Sequence, residues 1–118
     1  MANTAELNKK LDDAVLTGKA LEAFEELYAE DVVMQENSDA PFVGKALNRA
    51  REIEFFSSIA ELHSASVLSS AAGEDTSFSE WEMDLTFKNG YRAKLSQTAV
   101  RRWKDGLIVH ERFYYNKG

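Results

Sequence analysis

Two glutamates carry the chemistry this sequence offers. Glu36 ends the run YAEDVVMQE, and Glu111 sits among aromatics in ERFYYN. A carboxyl surrounded by apolar side chains keeps its proton to higher pH and becomes a general acid or base near neutrality. With Trp81 and Phe113 around it, a glutamate at the floor of a cavity would meet that condition. Each glutamate also has a plainer role. Glu111 can pair with Arg101, expected diagonal to it on the same face, because buried charges are normally paired. Glu36 can lie exposed at a rim beside residues 37–43. Gln97 either orients a ligand or is tied to a neighbouring backbone group. Tyr115 brings a phenol that either donates to a ligand oxygen or packs with its hydroxyl satisfied.

Other chemistries lack their residues. The chain has no cysteine, so thiolate zinc sites, thiol nucleophiles and disulfides are excluded. His63 and His110 are the only histidines, and no HExxH run occurs, so no metal site is expected. Neither a phosphate-binding glycine loop nor a nucleophile elbow is present, and no cofactor is expected.

The elements that must position these residues follow from periodicity. A helix is predicted over 3–16, capped by Asn3 with Glu6 three residues on, and with Leu7, Leu11, Ala14 and Val15 on one face. A second helix spans about 19–29, with Leu21, Phe24, Leu27 and Tyr28 as its stripe. A short strand covers 32–36. A loop containing Pro41 leads to a third helix over 45–57, with Ala46, Ala50, Ile53 and Phe56 expected on its buried face. After residue 60 the pattern turns to β, with strands at about 62–70, 78–87, 91–103 and 107–116.

Two turns fix the register of the last three strands. Two-residue loops at Asn89-Gly90 and Asp105-Gly106 would scatter the apolar residues over both faces. Three-residue loops ending in a left-handed glycine collect them on one face. In that register Phe87 pairs with Tyr91 and Trp103 with Leu107. The inner face then holds Trp81, Met83, Leu85, Leu95, Gln97, Ala99, Trp103, Val109, Glu111, Phe113 and Tyr115. Asp84 faces Lys94, a favourable cross-strand pair. The outer face mixes Val100, Ile108 and Tyr114 with charges, which suggests a homodimer through the sheet. Three helices on one side of a curved, mainly antiparallel sheet make an α+β sandwich open at one end.

Composition narrows the partners. At 118 residues the chain is expected to form one domain over 1–118. A net charge of −6 argues against nucleic acid, which needs a clustered positive surface. No apolar run approaches membrane-spanning length, and residues 1–20 have no apolar leader core, so a cytoplasmic location is the default expectation.

Two motifs carry a resemblance: FEELYAEDVVMQEN at 24–37 and WKDGLIVHERFYYN at 103–116. With the element order they resemble the NTF2-like superfamily and its SnoaL-like group, over residues 7–116. The resemblance implies a cone around an apolar pocket, commonly dimeric through the sheet, and an activity that varies widely between members. It also implies roles that this sequence largely lacks. Glu36 matches the general base of ketosteroid isomerases, but Leu11 and Ala99 stand where their oxyanion donors would be. Phe113, Trp81 and Met83 stand at the catalytic positions of limonene epoxide hydrolases. A dehydratase-like pair would use His63.

The expectation is therefore a SnoaL-like protein that binds a small, mostly apolar organic molecule. Met34, Trp81, Met83, Leu95, Gln97, Phe113 and Tyr115 would line the pocket. Glu36 and Glu111 are the candidates for a cofactor-free lyase, isomerase or cyclase step. The alternative is a non-catalytic ligand-binding or protein-interaction module.

Overall fold

The computed structural model describes residues 3–116. The chain runs through α1 (Thr4–Leu16), α2 (Ala20–Leu27), β1 (Tyr28–Glu36), β2 (Phe42–Val43), α3 (Lys45–Ser57), β3 (Ile59–Ala72), β4 (Thr76–Phe87), β5 (Arg92–Lys104) and β6 (Leu107–Tyr115). The six strands form one sheet in the order β2-β1-β6-β5-β4-β3. All neighbours are antiparallel except β1 and β6, which are parallel. The helices cover one face, so the sheet has a helix-covered inner face and an open outer face.

Local chemistry explains the helix boundaries. Asn3 accepts a hydrogen bond from the Glu6 amide at 2.9 Å, which satisfies one free amide of the first turn of α1. Lys45, although buried, donates to the Glu25 carbonyl in the last turn of α2 at 2.8 Å, where a cation is favoured. Arg49 on α3 pairs with Glu25 on α2. The core gathers Leu11, Phe24, Leu27, Tyr28, Val32, Met34, Trp103 and Ile108 between the helices and the sheet.

The β4–β5 hairpin has the predicted three-residue loop. The Phe87 amide donates to the Tyr91 carbonyl at 2.8 Å, and Gly90 closes the loop at φ +91°. Asp84 faces Lys94 as expected, although Arg92 supplies its bidentate partner at 3.0 and 2.9 Å. The β5–β6 hairpin departs from expectation. Lys104 pairs with Leu107, so the loop is two residues long, with Asp105 at φ +53° and Gly106 at +79°. These left-handed angles belong to the tight turn that matches the sheet's twist. By itself that turn would move the apolar set outward. A bulge between Arg102 and Trp103 adds the missing residue and restores the face.

The bulge corrects two assignments. Ile108 points inward, pairs with Trp103 and is fully buried, so it leaves the outer patch. Arg101 stands directly opposite Glu111, not diagonal to it. Replacing Gly106 with alanine should cost about 1–2 kcal/mol, because a Cβ is strained at this φ whatever the surrounding space. Urea denaturation would measure that loss as a lower midpoint at unchanged slope.

α3 is turned about its axis relative to expectation. Ala46, Ala50 and Ile53 face solvent, as does Leu47. Its inward residues are Lys45, Asn48, Arg51, Glu52 and Phe55. Asn48, with no exposed surface, donates to the carbonyls of Phe42 and Gly44 at 3.0 and 2.9 Å. Arg51 stacks on Phe42, 3.6 Å from the ring centroid, and reaches Glu36. These polar contacts with β1, β2 and the loop outweigh the weak apolar stripe of Ala46, Ala50 and Ile53.

Candidate active site

The inner face of the sheet carries a buried polar cluster. Asn8 and Asp12, one turn apart on α1, lie against Ser77 and Ser79 on β4 and Arg101 on β5. Arg101 donates from Nε to Glu111 at 2.8 Å and from Nη1 to Asp12 at 2.7 Å and Asn8 at 2.8 Å. The Tyr28 hydroxyl donates to the other Glu111 oxygen at 2.6 Å. The Trp103 indole donates to Ser77 at 2.8 Å, and Ser77 donates to Asn8 at 2.7 Å. Both Glu111 oxygens are thus occupied, and its side chain is 1% exposed.

The cluster's electrostatics follow from that geometry. Burial works against the Arg101 charge, but Glu111 and Asp12 more than reverse it and hold the guanidinium protonated. Burial, then the Glu111 charge, pushes the Tyr28 phenol well above its ordinary range, so it remains a donor. One guanidinium serves two carboxylates, leaving the buried cluster with a net negative charge.

Glu52 faces this cluster from α3. It is half-buried, and no described group gives it a hydrogen bond. On its helix it stands one turn before Phe55 and Phe56, whose rings meet edge to face at 5.2 Å. Burial, reinforced by the Glu111 charge, raises its pKa from 4.5 to about 7, against the smaller opposing pull of Arg51 and Arg101. Glu52 is a carboxyl without a hydrogen-bond partner among the described residues, poised between its two protonation states at neutral pH, and it lies outside the set of residues expected from the sequence. Its signal there is the polar run Asn48, Arg51 and Glu52, which leads to Phe55 on the same helix face at helical spacing.

The predicted site residues are distributed around this carboxyl. Glu36 is half-exposed at the end of β1, where it accepts from Arg51 at 3.1 Å and from the Tyr115 hydroxyl at 3.0 Å. Glu111 lies in the sealed cluster. Met34 and Trp81 are packed into the interior at 1% and 3% exposure. Met83, Leu95, Gln97, Phe113 and Tyr115 are half-buried on the inner face, and the Gln97 side chain has no hydrogen-bond partner among the described residues. His110 lies on the outer strand face, where burial and then Arg102 and Arg112 depress its pKa and keep it neutral. His63 is on the outer face too, away from Glu52. Two open grooves of about 380 and 180 Å³ lie on that outer face, around Phe78, Glu80 and Thr98 and beside Leu68 and Tyr114.

A family model described as the SnoaL-like domain matches residues 2–115. The chain belongs to the SnoaL-like family. Among solved structures, this SnoaL-like protein is similar to a candidate SnoaL-like polyketide cyclase from Mesorhizobium loti. The two share 25% identity with a TM-score of 0.83, over 97% of this chain and 100% of that one. It is also similar to an NTF2-like protein of unknown function from Burkholderia pseudomallei, at 17% identity and TM-score 0.81, over 98% and 92%. A candidate isomerase from Bacillus subtilis aligns at 23% identity and TM-score 0.77, over 95% and 85%. No curated protein matches the sequence. Within the SnoaL-like family's NTF2-like fold, Leu11 and Ala99 are buried apolar residues and offer no oxyanion donor here.

Proposed function

We propose that this SnoaL-like protein binds a small, mostly apolar organic molecule at the open end of the cone. There it moves a proton without a cofactor, in a lyase, isomerase or cyclase step. The supporting observation is Glu52: an inward carboxyl with no hydrogen-bond partner among the described residues, next to a buried negative cluster. A group titrating near neutrality can both take and return a proton, which is what such reactions require. In this reading burial, reinforced by the Glu111 charge, raises the proton affinity of Glu52, and Glu36 with Arg51 and Tyr115 forms the rim. The half-buried Met83, Leu95 and Phe113 supply apolar contact, and the Gln97 amide is available to a ligand oxygen.

A panel of small apolar ketones incubated in D₂O tests the reading. Deuterium should enter at the carbon beside the carbonyl with the wild-type protein and not with Glu52→Gln. The second reading, a non-catalytic binding module, is favoured by the packing of Met34 and Trp81 into the core. Ligands that stabilise both proteins equally, with no exchange in either, would select it.

The outer face suggests a homodimer through the sheet. Leu68, Phe78 and Tyr114 expose 54%, 44% and 44% of their surface there, beside the two grooves. Sedimentation at micromolar concentration should give twice the chain mass, and Phe78→Glu should return it to the monomer.

A further inference from the structure

On the outer face, at the far end of β3 and β4 from the Phe78 groove, three side chains form a relay. His63 Nδ1 lies 2.8 Å from a Glu61 carboxylate oxygen, and His63 Nε2 lies 2.8 Å from the Thr86 hydroxyl. The proton positions follow from the partners. A carboxylate only accepts, so Nδ1 carries the ring proton. In the neutral ring Nε2 is then a lone pair, and Thr86 must donate to it. A hydroxyl bonded to an imidazole that a carboxylate orients is the arrangement of an activated nucleophile.

The sheet register builds this relay and adds a cation. Glu61 pairs with Thr86 across β3 and β4, and a bulge between Leu62 and Ser64 re-aims His63 toward it. Thr86 pairs with Arg92 across β4 and β5, so their side chains leave the same face about 5 Å apart. Arg92 is fixed by two hydrogen bonds to Asp84, yet its side chain is 61% exposed. A positive charge therefore flanks the hydroxyl where charge would develop on an attacked carbonyl oxygen. His63 stays accessible, with 25% of its side chain exposed.

We infer that Thr86 is the nucleophile of a second, acyl-transfer site that takes activated carboxylic esters. Thr86 Oγ attacks the ester carbon and its proton passes to His63 Nε2. Arg92 faces the oxyanion that forms. The bond from carbon to the leaving oxygen then breaks, and His63 returns the proton to that oxygen. A water repeats the sequence on the acyl-Thr86 ester and releases the carboxylic acid. Glu61 is a positioning residue for the imidazole, and Asp84 for the guanidinium. This site lies on the opposite face from Glu52 and stands independently of the proposed function.

Incubation with p-nitrophenyl acetate tests it. One acetyl group should appear on Thr86 by peptide mass mapping, with steady release of p-nitrophenol. Thr86→Val should lose the adduct, and Thr86→Ser should keep it. His63→Gln should slow release by about 10²-fold or more, the usual contribution of a positioned base. The charged groups around His63 are Glu61, Asp84, Arg92 and Lys94. Glu61→Gln removes the carboxylate that holds Nδ1 and should slow release while Thr86 is still acetylated, and Glu61→Asp should restore part of the rate. Acetyl groups on lysines alone, or a Thr86→Val protein that releases p-nitrophenol at the wild-type rate, would overturn the assignment.

Discussion

Replacing Arg101 with methionine is expected to cost about 3–5 kcal/mol, the range for removing one partner of a buried ion pair. Domains of this size have about 5–15 kcal/mol in total, so the variant will be marginal or unfolded at about 37 °C. The reason is asymmetric. Asp12 and Glu111 are 7% and 1% exposed, and Arg101 is the cation in hydrogen-bond contact with both. Without it, two carboxylates stay out of water with only Tyr28, Asn8 and Ser79 nearby. Lysine will not replace it well. A single ammonium lacks the planar fork that reaches Glu111 from Nε and Asp12 from Nη1.

The pH dependence of Arg101→Met should carry the mark of this mechanism. The stranded carboxyls bind protons more tightly in the folded than in the unfolded state. The deficit should therefore shrink as pH falls and grow as pH rises toward 7. Adding Asp12→Leu and Glu111→Leu should recover much of the loss, because a packed apolar cluster has no charge left to compensate. Urea titrations followed by circular dichroism at pH 4.5 and 7.5 would decide it. A loss that does not vary with pH would mean packing, not charge, is what Arg101 supplies.

How much of this is legible in the sequence differs from element to element. The β4–β5 turn can be read because one loop length alone puts Leu95 and Ala93 on the face of Trp81, Met83 and Leu85. The β5–β6 turn needs two compensating irregularities, a shorter loop and a bulge. Face alternation fixes their combined parity and does not separate them. That is why Glu111 and Phe113 fall on the correct face although the loop and Ile108 do not. α3 is opaque for another reason. Its inward face is held by a cation stacked on Phe42, an amide bonded to loop carbonyls and an ion pair to Glu36. A rule that turns apolar residues inward points such a helix the wrong way. The stripe that breaks the rule contains Glu52, so the carboxyl escapes notice through the feature that makes it useful.

Glu52→Gln is expected to give a more stable protein with less activity. Glu52 has its pKa raised to about 7 in the fold, against 4.5 in the unfolded chain. Below pH 4.5 both states hold the proton, and the carboxyl makes no difference. Between 4.5 and 7 the unfolded chain releases it and the folded chain retains it, so wild-type stability falls as pH rises. A tenfold difference in proton affinity between the two states is worth about 1.4 kcal/mol, and partial solvent access trims the total, leaving about 2–3 kcal/mol above pH 7. Glutamine keeps the shape and cannot ionise. The variant should match wild type at pH 4 and unfold on the order of 10 °C higher at pH 8. Proton exchange on a bound ketone should meanwhile drop by roughly 10²–10⁴-fold, the usual contribution of a positioned acid or base. Stability gained where activity is lost distinguishes a working carboxyl from a structural one, whose removal would lower stability. Equal melting temperatures for the two proteins at pH 8 would show that Glu52 titrates as an ordinary surface glutamate, and the proton-transfer reading would fall with it.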